Sequence, residues 1–250
     1  MVLVRVSVST QPYLPMPDWS QRSSEPEMID SRIDRDLLYQ NLHELDIANR
    51  LFGGHAASLC GIKELVKDRT KIYHVADLGC GSGDSLKHMA DWARNNHYKL
   101  LLTGIDRSEP VIDYMKGHCT GYPEIKGVVS DYRKYMQDHP VDIVHCSLFC
   151  HHLSDNEILG LLNLFNLMVT TGFIINDLER SPAAYYSVKM LTNMIRSTSL
   201  SKHDGPVSVL RGFKVEELEA LLKKGSSFKC TIQRRRAFRL LVVGHAAGRN

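Results

Sequence analysis

The chain has 250 residues, of which 43% are hydrophobic and 24% are charged, and its net charge is +3. This composition can bury one full core, so one domain with an appendage is expected. The nearly balanced charge gives no electrostatic reason to expect nucleic acid or an anionic membrane surface as a partner. No apolar stretch approaches the roughly 20 residues of a membrane span. Six cysteines without a Cys-x-x-Cys pair are typical of a reducing compartment, which predicts a cytoplasmic location.

The N-terminal quarter divides into two segments. Residues 1–27 contain four prolines and a serine cluster, which predict a flexible arm, although alternating valines at positions 2 to 8 also have the pattern of a short strand. Residues 28–70 carry apolar side chains every three to four positions and predict two helices, over 30–51 and 56–66. A Gly53-Gly54 break separates these helices, with Arg50 and His55 beside it.

The segment that follows predicts a buried strand over Ile72–Leu78 and then a tight glycine turn. Asp77 is followed by Gly79, Gly81 and Gly83. Such a turn needs positive φ, and the missing Cβ atoms allow a ligand to approach the backbone. The third glycine comes one residue too early for the dinucleotide pattern Gly-x-Gly-x-x-Gly, which counts against a nicotinamide cofactor.

The rest of the chain predicts strands that alternate with helices. Further strands are expected over 100–105, 127–132, 141–147 and 172–177, and an antiparallel pair over 228–234 and 238–244 closes the chain. The expected fold is α/β, a Rossmann-like doubly wound seven-stranded sheet with a terminal hairpin and an N-terminal helical segment. Helices are expected over 156–169 and from about 182 to 196. Residues 197–213 are expected to form a long loop that contributes to a binding site.

Polar residues at the strand ends are the candidate ligand contacts, because ligands of open α/β sheets bind at the carboxyl ends of strands. Asp106 ends the second strand and is placed to accept both ribose hydroxyls of an adenosine, with a helix cap as its alternative role. Asp131 follows the third strand, where a surface-turn role is open to it. Ser147, His151 and His152 follow the fourth strand. If strand alternation persists, His151 faces the pocket and His152 the scaffold.

The run from Asp77 to Gly83 resembles motif I of the class I methyltransferases that use S-adenosylmethionine (SAM), and the resemblance spans about 73–243. The His-His-Leu-Ser-Asp run resembles the ubiquinone-methylase-like group. Three further stretches, 49–55, 176–180 and 203–213, resemble a bacterial subgroup that is associated with polyketide-type phenols or quinone-like aromatics. The resemblance implies a lid at 28–70, a methyltransferase domain at 71–250, SAM as cofactor and a small-molecule acceptor, with a homodimer left open.

The resemblance also assigns candidate roles to individual residues. The expected cofactor contacts are Asp77, Gly79, Cys80, Gly81, Ser82, Gly83, Asp106, Arg107, Asp131, Tyr132 and Ser147. Among these, the family resemblance implies an adenine contact for Asp131 instead of a surface-turn role. The candidate acceptor contacts are His152, Asn176, Arg180, Tyr185 and Arg211. The candidate bases are His151 and His203, because an imidazole titrates near neutral pH. No carboxylate set matches the magnesium site of catechol-type enzymes, so no metal is expected.

Methyl transfer to a hydroxyl or an activated carbon of a small aromatic molecule is the favoured function. The alternative function is a protein that binds SAM but does not transfer its methyl group, such as a regulatory protein or an enzyme of the cyclase or decarboxylase type. It stays open because a cofactor motif indicates binding and does not identify the reaction.

Overall fold

The structure is a computed structural model that describes residues 17–31, 33–194 and 197–246. The alternating valines at positions 2 to 8 lie outside the described residues. The helices are α1 Arg35–Phe52, α2 Gly54–Leu65, α3 Asp84–Asn95, α4 Glu109–His118, α5 Tyr132–Asp138, α6 Asp155–Met168, α7 Pro182–Met194, α8 Ser199–Arg211 and α9 Val215–Gly225. The strands are β1 Ile72–Leu78, β2 Lys99–Asp106, β3 Ile125–Val129, β4 Val141–Ser147, β5 Val169–Leu178, β6 Lys229–Arg235 and β7 Arg239–His245.

The seven strands of the described chain form one sheet in the order β3-β2-β1-β4-β5-β7-β6. The first five strands pair in parallel, and β7 is antiparallel to both of its neighbours. The order reverses between β1 and β4, which places the carboxyl ends of these two strands at the switch point where ligands of such sheets bind. The predicted fold and terminal hairpin are confirmed.

The central strands bury both faces. Val75 and Ile143 contribute to a core under α2, α3 and α4, whereas their neighbours Ala76 and Val144 contribute to a core under α5, α6 and α9. Successive strand residues point to opposite faces of a sheet, so a strand covered on both sides must be apolar throughout. This explains the continuous apolar runs, and it makes each buried polar residue within them conspicuous.

The described part of the N-terminal arm is packed against the protein, which corrects the expectation of flexibility for residues 17–27. The Arg22 guanidinium lies 4.2 Å from the Phe213 ring centroid and donates to the backbone carbonyls of His151 and Leu153 at 3.0 and 2.8 Å. Glu27 is only 5% exposed. Proline and serine content lowers the tendency to form regular structure, but it does not prevent an irregular segment from docking by side-chain contacts.

The expected loop over 197–213 is wrong, because α8 occupies most of it. Gly205 and Pro206 are unfavourable within a helix, since proline lacks an N–H donor and glycine loses more backbone entropy. Burial of Leu200, Val207 and Val209 stabilises the helix despite both residues. At Gly205 an added Cβ would lie 2.8 Å from Val188 on α7, so the glycine permits close packing of the two helices.

The helices predicted over 30–51 and 56–66 correspond to α1 and α2, although α1 begins only at Arg35, and β1 agrees with prediction at both ends. The third strand is shorter than expected and stops at Val129, since Asp131 caps α5 instead. A membrane-crossing helix, long and apolar enough for a bilayer, does not occur among residues 17–31, 33–194 and 197–246.

Candidate active site

The glycine turn between β1 and α3 has the backbone that its sequence predicts. Gly79, Gly81 and Gly83 have φ angles of +69°, +53° and +75°. At Gly79 an added Cβ would lie 2.5 Å from the ring of Phe149, which follows β4. The first glycine is therefore required by both its conformation and the close approach of this ring, and the turn is joined to the segment that carries His151.

Asp77 at the end of β1 belongs to a buried polar chain that reaches α2. His145 lies opposite it on β4, and its Nδ1 donates to Asp77 Oδ1 at 2.7 Å, because a carboxylate can only accept. The Ser58 hydroxyl lies 2.7 Å from His145 Nε2, and Asn176 Nδ2 donates to Ser58 Oγ at 2.9 Å. Asn176 also donates to Gly54 O at 2.8 Å. The chain thus links motif I, β4, β5 and α2.

Asp106 at the end of β2 has the environment expected of a ribose contact. Its Oδ1 accepts from the Ser108 backbone N–H at 2.8 Å, and no described lysine or arginine forms an ion pair with it. Burial raises the pKa of Asp106, since a carboxylate short of donors is destabilised away from water. Two ribose hydroxyls would supply such donors, so this residue and the adjacent glycine turn fit an adenosyl ligand.

Asp131 caps α5 and accepts from the Arg133 backbone N–H at 2.8 Å, which is the turn role left open by the sequence. Tyr132 is buried, and its ring meets Phe149 edge-on with the centroids 5.5 Å apart. Burial raises the pKa of Tyr132 to about 12, so its hydroxyl remains a hydrogen-bond donor. That hydroxyl has no hydrogen-bond partner among the described residues.

His151 lies between two carboxylates at the ends of β4 and β5. Its Nδ1 donates to Asp177 Oδ1 at 2.6 Å, and its backbone N–H donates to Asp177 Oδ2 at 3.2 Å. On the other side of the ring, Nε2 lies 3.4 Å from Glu27 Oε1 in the N-terminal segment. All three side chains are at most 5% exposed.

These carboxylates determine the protonation of the ring. Burial alone would lower the pKa of His151, but Asp177 and Glu27 outweigh it and raise the pKa to about 9. Burial alone would raise the pKa of Asp177, but the imidazolium holds it at about 2. The ring is therefore protonated at neutral pH in this arrangement. An imidazole held at Nδ1 by a carboxylate is oriented so that Nε2 can exchange a proton once Glu27 withdraws.

The prediction that His151 faces the pocket and His152 the scaffold rested on strand alternation, which the structure does not continue to these residues. His151 is buried, whereas the His152 side chain is 24% exposed. The strand ends at Ser147, Leu148 has φ of +51°, and residues 150–152 form a 3-10 turn. Alternation holds only in extended backbone, so it could not be extended past the strand end.

Three residues that were predicted to act as a base or to contact the acceptor are instead engaged by other protein groups. His203 is exposed and lies 2.7 Å from Asp204, with Glu25 as its other charged neighbour. Arg211 is buried and donates to the backbone carbonyls of His151 and His152 at 3.2 and 3.0 Å. Arg180 donates to Gly212 O and to Glu217. Arg211 therefore holds the turn that carries His151, whereas Arg180 holds the connection between α8 and α9.

The remaining predicted residues are placed as follows. Tyr185 is half-buried and meets Trp19 edge-on at 5.6 Å. Cys80 and Ser82 are buried within the turn, Ser147 is half-buried at the end of β4 and Arg107 is exposed. Burial and the neighbouring Asp77 raise the pKa of Cys80 well above its usual value, so this thiol is a small packing group. It lies 3.4 Å from the Met115 sulfur.

Sequence reasoning missed Glu27, Asp177 and His145. Glu27 gave no signal, since it lies in a proline-rich segment whose docking is tertiary. The other two were detectable, because Asp177 ends an apolar strand and His145 interrupts one. A charged or polar side chain at such a position needs a buried partner.

The sheet order, the glycine turn at the switch point and the carboxylate at the end of β2 are those of the class I SAM-dependent methyltransferase fold. Residues 75–172 match the family described as Methyltransferase domain. Together, the match and the fold indicate a methyltransferase domain of this class, with SAM as its cofactor. The nicotinamide alternative is thereby removed. No curated protein matches the chain.

Solved structures share the fold at low sequence identity. A plantazolicin methyltransferase, BpumL, in complex with S-adenosylhomocysteine (SAH) is 13% identical, with a TM-score of 0.61 over 85% of this chain and 95% of that one. A SAM-dependent methyltransferase from Aquifex aeolicus is 16% identical, with a TM-score of 0.58 over 85% and 98%. The pyocyanin biosynthetic protein PhzM is 17% identical, with a TM-score of 0.53, but this chain spans only 55% of its length.

Proposed function

We propose that the protein transfers the SAM methyl group to a hydroxyl, or an activated carbon, of a small aromatic, polyketide-like or quinone-like molecule. The observation that carries the proposal is the buried pair of His151 and Asp177, which lies at the ends of β4 and β5 beside the glycine turn. Structures with this fold include a plantazolicin methyltransferase and a pyocyanin biosynthetic protein, which supports a small-molecule acceptor. The cytoplasmic location and a homodimer stay predictions from the sequence.

The cofactor would be held along the ends of the first three strands. The turn Gly79–Gly83 and Asp77 would hold the methionine end, Asp106 the ribose hydroxyls, and Asp131 with Tyr132 the adenine. The cofactor supplies an electrophilic methyl group, so the protein chiefly needs to align the acceptor in a site that excludes water. Packing of Phe149 against Gly79 places the end of β4 directly beside the turn.

His151 would act as the general base. A phenol with a pKa near ~10 must lose its proton as it attacks, and an imidazole oriented by Asp177 can accept it at Nε2. Because Glu27 faces the same nitrogen, it must withdraw before an acceptor hydroxyl can take its place. Withdrawal also removes one of the carboxylates that raise the pKa of His151, which returns the ring toward its neutral, basic form.

The first experiment is calorimetric titration of the full chain with SAM, SAH and NAD. Micromolar binding of SAM and SAH without NAD binding is expected. Failure of both adenosyl ligands to bind would contradict the proposed cofactor contacts.

The second experiment measures SAH release over a panel of phenols and quinols. His151→Gln and Asp177→Asn should lower turnover by about 10²- to 10⁴-fold, the usual contribution of a general base, while SAM affinity changes little. His139→Gln, at an exposed histidine, is the matched control. Full turnover by His151→Gln with a good acceptor would remove the base assignment. SAM binding without SAH release for every acceptor would favour a binding protein that transfers no methyl group.

A further inference from the structure

A second cluster of histidines and carboxylates lies where α1, α2 and α3 meet. Asp46 comes from α1, His55 from α2, and Asp84 with His88 from α3. Asp84 and His88 are four positions apart, so they share one face of their helix. One ligand-type atom from each of Asp46, His55 and His88 lies within 4.8 Å of the others. Three separate helices therefore bring these groups to one point.

The cluster contains more acceptors than it can satisfy. His55 Nε2 lies 3.1 Å from Asp46 Oδ1 and 3.2 Å from Asp84 Oδ2. A single ring nitrogen carries one proton and cannot donate fully to two carboxylates. In the described part of the chain, no lysine or arginine forms an ion pair with Asp46 or Asp84. Two carboxylates thus converge on a single imidazole in a largely buried place.

A second imidazole, that of His88, lies against the buried ring of His55. The His88 ring centroid lies 4.3 Å from that of His55. His55 is 6% exposed, and its Nδ1 has no hydrogen-bond partner among residues 17–31, 33–194 and 197–246. That unpartnered nitrogen is not the one that faces the carboxylates, since the nitrogen toward Asp46 and Asp84 is Nε2.

We propose that Asp46, His55 and His88 bind one divalent transition-metal ion of the zinc type, with Asp84, which contacts His55, as the fourth candidate ligand. Two imidazole nitrogens and two carboxylate oxygens form a donor set that such ions prefer, whereas Mg²⁺ and Ca²⁺ take oxygen ligands. At bond lengths of about 2.0–2.1 Å, tetrahedral donors lie about 3.3 Å apart. The His55–Asp46 and His55–Asp84 distances are already close to that value. A dication would also offset the two carboxylate charges.

The position of this site gives it a structural role. It joins both lid helices to the first turn of α3, which directly follows Gly83. A bound ion would hold the lid on the methyltransferase domain without touching His151. The proposal concerns metal binding, so it stands or falls independently of methyl transfer.

The test uses the full chain without an affinity tag, stripped of metal with a chelator and titrated with Co²⁺. One equivalent is expected to bind and to give the visible absorption bands of four-coordinate cobalt, which Zn²⁺ then removes and Mg²⁺ does not. Asp46→Asn and His88→Gln should each weaken Co²⁺ binding by about 100-fold or more, since loss of even an outer-shell partner costs 10- to 100-fold. Circular dichroism would verify that each variant is folded. If Asp46→Asn does not fold, His88→Gln, at a half-buried position, provides the test by itself.

Two controls locate the ion. His139→Gln removes an exposed histidine, and His152→Gln alters the other cluster, formed by Glu27, His151 and His152. Both should bind Co²⁺ as the wild type does. No Co²⁺ binding at micromolar protein, unchanged binding by His88→Gln, or loss of binding by His152→Gln would each overturn the proposal.

Discussion

At the scale of single residues, a binding role and a structural role of Asp106 predict different effects on stability. Burial raises the pKa of Asp106, so its charge is unfavourable in the protein as described. Asp106→Asn should therefore leave the free energy of unfolding unchanged or slightly higher. It should weaken SAM binding by about 10- to 100-fold, because a hydrogen bond to a charged group contributes about 1.5–3 kcal/mol. Calorimetry and urea unfolding measure the two effects separately.

Asp138→Asn, at an exposed position on α5, is the control for Asp106→Asn and should change neither quantity. A loss of stability in Asp106→Asn with SAM affinity intact would assign Asp106 the helix-capping role instead.

His151 provides a pH-dependent prediction at the same scale. Its pKa is raised from 6.5 to about 9 in the folded protein, so its contribution to stability is complete below pH 6.5 and is lost as the pH rises toward 9. The shift corresponds to about 3 kcal/mol. Urea unfolding at pH 6, 7.5 and 9 should show that the difference between wild type and His151→Gln shrinks over this range.

The Asp177 contribution changes in a different window. Its pKa is lowered from 3.8 to about 2, so its contribution to stability is present above pH 3.8 and lost only in acid.

The control for the His151 experiment is His139→Gln, at an exposed position, which should show no pH-dependent difference from wild type. A constant difference between wild type and His151→Gln from pH 6 to 9 would contradict a protonated, doubly paired ring.

At the scale of elements, the N-terminal segment depends on a few directed contacts. Arg22 donates to the backbone carbonyls of Arg211, His151 and Leu153, and these bonds place Glu27 over the site. Arg22→Ala should lower the free energy of unfolding by about 2 kcal/mol, since bonds from a charged donor are lost. It should also make residues 17–31 more sensitive to limited proteolysis.

Arg236→Ala removes an exposed arginine in the turn between β6 and β7 and is the matched control for Arg22→Ala. Equal proteolysis of wild type and Arg22→Ala within residues 17–31 would show that the segment is held by other contacts.

The same Arg22 contacts explain why the sequence predicted a flexible arm for residues 17–27. Its docking depends on carbonyls that become available only after β4, its following turn and α8 have packed.

At the scale of the whole molecule, the polar chain through Ser58 joins the lid to the sheet. Ser58→Ala would leave His145 Nε2 and Asn176 Nδ2 each with one fewer partner. The expected loss in the free energy of unfolding is about 1–3 kcal/mol, measured by urea unfolding. Ser24→Ala, at an exposed position, should have no effect. An unchanged stability in Ser58→Ala would show that water replaces the hydroxyl.

Local sequence patterns were sufficient to predict the sheet, the glycine turn that follows β1 and the position of Asp106 at the end of β2. These follow from local rules, namely apolar runs for strands buried on both faces and positive φ for a glycine turn. Three features became visible only in the folded protein. Residues 199–211 form a helix, Asp177 and Glu27 enclose His151, and Asp46, His55 and His88 lie close together with Asp84 beside His55. Each of these outcomes depends on groups far apart in the chain, whose mutual burial outweighs local propensity.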